Sequence, residues 1–282
     1  MVHVLIMTLL MSVTGWSSEV KLLSWNVFML PKPIKNSLQK ERTYLIAQQL
    51  KKIDPDVIVL QEAFSEHFRT VVGNTLYSTH PYQLRLRKSG AFKQVMCSGL
   101  FVLSRYPIRS LEYNYFGSCA GADCFSSKGA LLTELELDGK KLQLLVTHMQ
   151  ASDDQVHHRI RQDQTQTIKE LLRPYTQAGV PQVLAGDLNI DSMVGTEFFE
   201  FLNTLNLSAI GQDLQETTKA QKTSCFTKHD STRLVRKDHI LSNPQGSPDF
   251  SLRTSVHRIR STMNGINCDL SDHYPLTSTI SF

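Results

Sequence analysis

The chain has 282 residues, 41% of them hydrophobic and 20% charged, with a formal net charge of +4 and pI near 8.7. That is the composition of an ordinary globular protein, without a low-complexity tract or a repeat that would indicate a solenoid. So small a charge permits contact with phosphates or anionic surfaces but gives no electrostatic signature of a nucleic-acid binder, and function has to be read from sites.

Residues 1–18 begin with an apolar run from Val4 to Val13, then turn small and polar, with Gly15 and Ser17 spaced as a small-x-small cleavage signal. The run is too short to span a bilayer as a helix. A signal peptide is the expectation, against a buried first strand or a misplaced start codon; no Lys or Arg precedes the run. The rest, 19–282, reads as a single domain. Five cysteines (Cys97, Cys119, Cys124, Cys225, Cys268) suit an exported protein, and Cys119 and Cys124 bracket the loop CAGADC and could close on each other. No C-x-x-C pair points to structural zinc.

Along the chain, EVKLLSWNV reads as a strand and ERTYLIAQQLKKI as a helix with Tyr44, Leu45, Leu50 and Ile53 on its apolar face. DPDVIVLQEA follows as a buried strand. SGLFVLSRYPI reads as one strand, and LLTELELDGKKLQLLVTHM as a hairpin turned at Asp138-Gly139. Residues 153–173 form a helix carrying Ile160, Ile168, Leu171 and Leu172 and stopping before Pro174. VPQVLAGDLNI is a buried strand, TEFFEFL a short helix, and KDHIL, SVHRIR and YPLTSTI are short strands. The pattern predicts an α/β fold: a four-layer α/β/β/α sandwich, two mostly antiparallel sheets face to face with helices outside.

Polar residues stand where apolar strands end: Asn26, Gln61 with Glu62, His148, Asp187 with Asn189, and Asp238 with His239. Asp272 and His273 introduce the last strand. Each has a plain structural reading: a cap or surface charge for Glu62, a core or rim histidine for His148, an Asx-turn for Asp187, a polar turn into an edge strand for Asp272-His273. Carboxylates at so many strand ends cost stability unless chemistry needs them there. Glu62 with the amide of Asn26 suits loosely held Mg²⁺. One imidazole can then accept a proton from water while the other donates to phosphoryl oxygens, and Asp238 can fix the tautomer of His273. Phosphodiester hydrolysis assisted by one divalent metal is the reaction that fits. Glu62 and His273 are both expected in a solvated site.

The ordered set SWNVFML, LQEAF, VTHMQA, AGDLNI, DHIL and SDHYPL resembles the motifs of the endonuclease/exonuclease/phosphatase superfamily over residues 20–282. NVFMLP, SGLFVLSRYPI, CAGADCFSSKGALL and THMQA resemble its neutral sphingomyelinase branch. The resemblance implies hydrolysis of sphingomyelin to ceramide and phosphocholine at a bilayer surface by a secreted or periplasmic monomer. It implies Mg²⁺ as cofactor, with Mn²⁺ or Co²⁺ as candidate substitutes. Glu62 is then the principal metal ligand, with Asn26 beside it and Asp272 near it. His273 is the general base, held by Asp238; Asp187 and Asn189 orient water and bind the phosphoryl group; His148 stabilises the transition state. Lys128 matches a family lysine that could face the phosphate, the alternative being a solvated hairpin charge. A secreted nuclease with the same chemistry, or a lipid-binding module without catalysis, are the competing readings. Some secreted bacterial sphingomyelinases insert an aromatic hairpin just upstream of Ser-Asp-His. Here that stretch, TSVHRIRSTMNGINCDL, has no aromatic residue. Weak contacts of Arg253, Arg258 and Arg260 with lipid phosphates, and apolar contacts at Phe92 and YNYF (113–116), are the substitutes.

Overall fold

The computed structural model describes residues 18–32, 34–86, 95–212, 217–219, 234–247 and 249–282. The expected leader, Phe92 and Cys225 lie outside the described residues. Strands β1 (Glu19–Asn26), β2 (Val57–Gln61), β3 (Tyr82–Arg85), β4 (Phe101–Ser104), β10 (Ser251–Val256) and β13 (Leu276–Ser281) form one sheet in the order β10-β13-β1-β2-β4-β3. Strands β5 (Ile108–Tyr115), β6 (Gly129–Leu137), β7 (Lys140–His148), β8 (Gln182–Asp187) and β9 (Asp238–Asn243) form the second in that order, and β11 (Arg260–Met263) pairs with β12 (Ile266–Asp269) as a separate hairpin. Pairing is antiparallel except for β1 with β2 and β7 with β8, each joined through a helix. Parallel neighbours require such a crossover.

Inward residues alternate along the strands, as a pleated sheet demands. Val20 and Leu22 of β1, Val57 and Val59 of β2, and Leu144 and Val146 of β7 meet between the sheets. The other face of the first sheet, with Leu23 and Trp25, packs on α1 (Gln39–Ile53) and α2 (Glu66–Leu76). The other face of the second, with Leu132 and Leu145, packs on α3 (Gln155–Leu172) and α4 (Glu197–Leu205). The four expected layers are present. Helix starts follow the local chemistry: Ser65 caps α2 by accepting from the Phe68 amide, and Asp154 caps α3 by accepting from Val156 and His157.

Four expectations need correction. The buried face of α1 is Arg42, Thr43, Ile46, Ala47 and Leu50, while Tyr44 is 48% exposed, because the guanidinium of Arg42 is drawn inward by backbone carbonyls. SGLFVLSRYPI is two strands in different sheets: β4 ends at Ser104 and the chain crosses at Arg105–Pro107, where proline cannot donate to a ladder. SVHRIR is likewise split between the end of β10 and the start of β11. The last strand, β13, is no edge: it lies between β10 and β1, with Leu276 and Ile280 in the inter-sheet core.

Candidate active site

Both parallel pairs run their C-terminal ends to the same end of the sandwich. Asn26 pairs with Gln61 there in the first sheet, and His148 with Asp187 and Asp187 with Asp238 in the second. The side chain that joins the sheets is Asn26. Its Nδ2 donates to Glu62 Oε1 and to Asp187 Oδ2, both at 3.0 Å, while its Oδ1 accepts from the Phe28 amide at 3.1 Å. In this orientation the amide holds the Glu62 carboxylate in place. Backbone strain gathers here: Phe28, Glu62, Ser152 and Asn189 all have positive φ, between 50° and 82°.

Glu62 Oε2 is sealed from solvent and has no hydrogen-bond partner. Burial and the nearby Asp272 carboxylate push the Glu62 acid up to about 7. Glu62, Asp272 and, beneath them, the charge of Arg42 form one electrostatic group. Ligand atoms of Asp187, Asp238 and His273 also lie within 4.8 Å of one another, a spacing able to hold an ion. In that second cluster His273 Nδ1 donates to Asp238 Oδ2 at 2.8 Å, while Asp238 Oδ1, like Glu62 Oε2, is buried without a hydrogen-bond partner.

Burial lowers the His273 imidazole, but Asp238 and Asp187 outweigh it and push the ring up to about 10. Its Nδ1–H donates to Asp238, fixing the tautomer that leaves Nε2 to act. Asp238 itself is raised by burial, with Asp187 adding to it. Asp187 is held well below the usual carboxylate range: His273 and His148 overcome its burial, and its Oδ1 accepts from the Asn189 amide at 2.9 Å. That bond is the Asx-turn expected of the bland reading, here inside the site.

Lys128 is 6% exposed, which rules out a solvated hairpin charge. Its ammonium donates to the Met149 carbonyl at 2.9 Å, pairs with Asp123 Oδ2 at 2.9 Å and stands 3.2 Å from His148 Nε2. An ammonium can only donate, so His148 Nε2 accepts and the ring proton sits on Nδ1. Burial and Lys128 bring His148 down to about 4, leaving it neutral. The charged donor of this half is thus the lysine. The Asn189 amide donates to the same Met149 carbonyl at 3.1 Å.

The site is drier than expected, with Asp187, Asp238, Asp272 and His273 all buried. Sequence reasoning missed Arg42 and Asp123. Arg42 sits among polar residues of α1 and donates to the carbonyls of Leu270 (2.7 Å), Phe28 (2.8 Å) and Val27, partners that leave no trace in sequence. Asp123 could have been found, because it lies inside the loop closed by the Cys119–Cys124 disulfide and five residues before Lys128. Cys97 is the free thiol among the described residues.

The residues expected to contact lipid also have partners within the fold. Arg258 and Arg260 reach the buried Asp269 at 3.1 and 3.5 Å and so brace the β11–β12 hairpin. Of YNYF, Tyr113 packs on the inter-sheet core and Phe116 on the α3 face, leaving Tyr115 exposed. Among the described residues no helix is long and apolar enough to cross a membrane.

The model of one family, described as the endonuclease/exonuclease/phosphatase family, matches residues 23–273, from within β1 to the histidine before β13. The chain belongs to that family. Among curated family relatives it is 26% identical to sphingomyelinase C 2 of Leptospira interrogans over 92% of this chain and 45% of that protein's length. It is 28% identical to a phospholipase C of Staphylococcus aureus over 92% of this chain and 86% of the relative. A crystal structure of a substituted Staphylococcus aureus beta toxin with bound magnesium ions shares the fold, with TM-score 0.76 and 24% identity over 93% of this chain and 99% of that one.

Proposed function

We propose that the protein is an exported phosphodiesterase that hydrolyses sphingomyelin to ceramide and phosphocholine with Mg²⁺. The observation that carries this reading is the Asn26 amide shared between Glu62 and Asp187, which puts a cation site and an acid–base site within one side chain of each other. Substrate class is drawn from relatives named sphingomyelinase C and phospholipase C, and the metal from the beta toxin that holds magnesium. The Cys119–Cys124 disulfide and the apolar leader support export.

Glu62, through its unpartnered Oε2, and Asp272 fit as the residues that hold the ion. Bound there, a dication supplies positive charge against the phosphoryl oxygens and offsets the carboxylates that keep His273 protonated. His273 Nε2 accepts a proton from water as the water oxygen attacks phosphorus; the bond to the ceramide oxygen breaks, that oxygen takes a proton from solvent, and His273 then releases its own to solvent. Asp238 keeps Nδ1–H in place throughout. Asp187 and Asn189 orient the water and the phosphoryl group, and Lys128, with His148 as its neutral acceptor, faces the charge that develops.

The test is incubation of the purified protein with Mg²⁺ and either sphingomyelin vesicles or supercoiled plasmid. Phosphocholine release that stops with EDTA and returns with Mg²⁺ is expected. Nicked plasmid without phosphocholine replaces this reading with a nuclease; vesicle binding without turnover replaces it with a lipid-binding module.

A further inference from the structure

The Met149 carbonyl is the acceptor that Lys128 Nζ and Asn189 Nδ2 share, at 2.9 and 3.1 Å. Whatever fixes that carbonyl aims two of the groups assigned to the phosphate. Met149 opens the loop 149–152, whose Ser152 has a strained φ of 82°, a conformation that persists only if its surroundings hold it. The Met149 amide donates to the Asp187 carbonyl at 3.0 Å and the Gln150 amide to Gln164 Oε1 at 2.9 Å, and the loop's carbonyls are gripped by Arg161, on the second turn of α3. Arg161 is 2% exposed, and its Nη1 donates to the carbonyls of Gln150 at 3.0 Å and Ser152 at 2.5 Å. Its other edge is fixed by Glu197 of α4, with Nε to Oε1 at 2.6 Å and Nη2 to Oε2 at 2.9 Å. A planar fork clamped on one side by a carboxylate presents its remaining donors with little freedom, which an ammonium on a flexible stem cannot do.

The same loop is tied on its other side to the disulfide-closed segment. Gln150 Oε1 accepts from the Ala120 amide at 2.9 Å, and the Ala151 amide donates to Asp123 Oδ2 at 2.8 Å, the carboxylate that pairs with Lys128. Arg161 therefore touches no reacting group, yet Lys128, Asn189 and Asp123 each hydrogen-bond to the loop it grips.

The geometry points to Arg161 as a positioning residue: held by Glu197, it sets the Met149–Ser152 loop and through it the aim of Lys128 and Asn189 at the substrate phosphate. This rests on the reading of the site as a phosphodiesterase. Its consequence is a split between chemistry and metal binding, because Glu62 and Asp272 belong to the other sheet's loops and do not depend on Arg161.

The experiment uses the full protein with Arg161→Lys, and Glu197→Gln as a milder variant that keeps the arginine. Turnover of sphingomyelin at saturating Mg²⁺, Mg²⁺ affinity by calorimetry, inorganic phosphate affinity in the presence of Mg²⁺, and backbone hydrogen exchange are read together. Arg161→Lys is expected to lower kcat by roughly 10²-fold, as a small misplacement of positioning groups does. Phosphate affinity falls, exchange quickens at 149–152 but not along β7, and Mg²⁺ affinity is unchanged; Glu197→Gln moves kcat the same way by less. Wild-type kcat and phosphate affinity in Arg161→Lys overturn the proposal, as does faster exchange throughout β7 and α3, which marks a purely structural role. If the wild type fails to cleave sphingomyelin, the substrate reading fails, and phosphate affinity with loop exchange still decides the role of Arg161.

Discussion

His273 and Asp238 carry the sharpest consequences at the level of single residues. Removing the imidazole takes away the proton acceptor and leaves Asp238 buried without its partner, so His273→Ala should lower kcat by roughly 10²–10⁴-fold. Circular dichroism should still report both sheets, since the ring contributes little apolar packing; activity within tenfold of wild type removes His273 from the mechanism. Glu62→Gln keeps the shape but removes the charge that faces the cation. Calorimetry should show Mg²⁺ affinity falling at least tenfold, and unchanged affinity places the ion elsewhere. Glu62, His148 and Asp187 were legible in sequence because each stands at the end of an apolar strand, where a polar group costs stability, and His273 because it introduces one; Asp238, read as a strand end, in fact begins β9. Arg42 and Asp123 were not, because a residue that acts by holding carbonyls or a lysine gives no periodic signal.

At the scale of elements, the site is assembled from two strand–helix–strand units, β1-α1-β2 and β7-α3-β8, each with a buried arginine on its helix. Arg42 grips the loop after β1 and Arg161 the loop after β7. Arg42→Met leaves the Leu270 carbonyl and its neighbours without that donor, at a cost of about 1–3 kcal/mol for each group left unsatisfied. Thermal melting should show that loss together with weaker Mg²⁺ binding, the counterpart to the Arg161 variants. Gly186, the residue before Asp187, is a tighter constraint. A Cβ there would stand 2.0 Å from the Thr147 carbonyl oxygen, so Gly186→Ala must part β7 from β8. Destabilisation of about 1–3 kcal/mol in urea, with loss of turnover, is expected, and a stable, active variant would show that the strands can separate at no cost to the site. Strand and helix order was readable from alternation and the Asp138-Gly139 turn. The inward face of α1 and the split of SGLFVLSRYPI between sheets were not, since tertiary partners decide both.

For the whole molecule, pH and metal act on the same balance of buried charge. His239 stacks on Phe198 with ring centroids 4.6 Å apart, and burial and Arg236 bring it from 6.5 down to about 3. Between those values the unfolded chain takes up a proton that the folded ring refuses, so stability falls as pH drops through that window. Urea titrations at pH 7, 5 and 4 should show the decline in the wild type and a flatter one in His239→Phe. Equal slopes assign acid lability to other groups. Mg²⁺ should raise the melting temperature, with about 2.7 kcal/mol gained at a hundredfold excess over Kd, and Glu62→Gln at the same concentration should cut the rise by half or more. The four-layer architecture was legible as a whole because its signals are summed over many residues, whereas the convergence of strand ends at one point depends on how two sheets lie across each other.

The Asn26 amide gives that arrangement its sensitivity. One nitrogen spends its two hydrogens on both sides of the gap, one on the layer that carries it and one on the layer facing it. Sliding either layer by an ångström breaks one of the two bonds long before the hydrophobic filling between them is exposed. Turnover is therefore a finer gauge of how the halves are seated than melting, and substitutions far out on either flank should be felt first as slow chemistry in a protein that still folds.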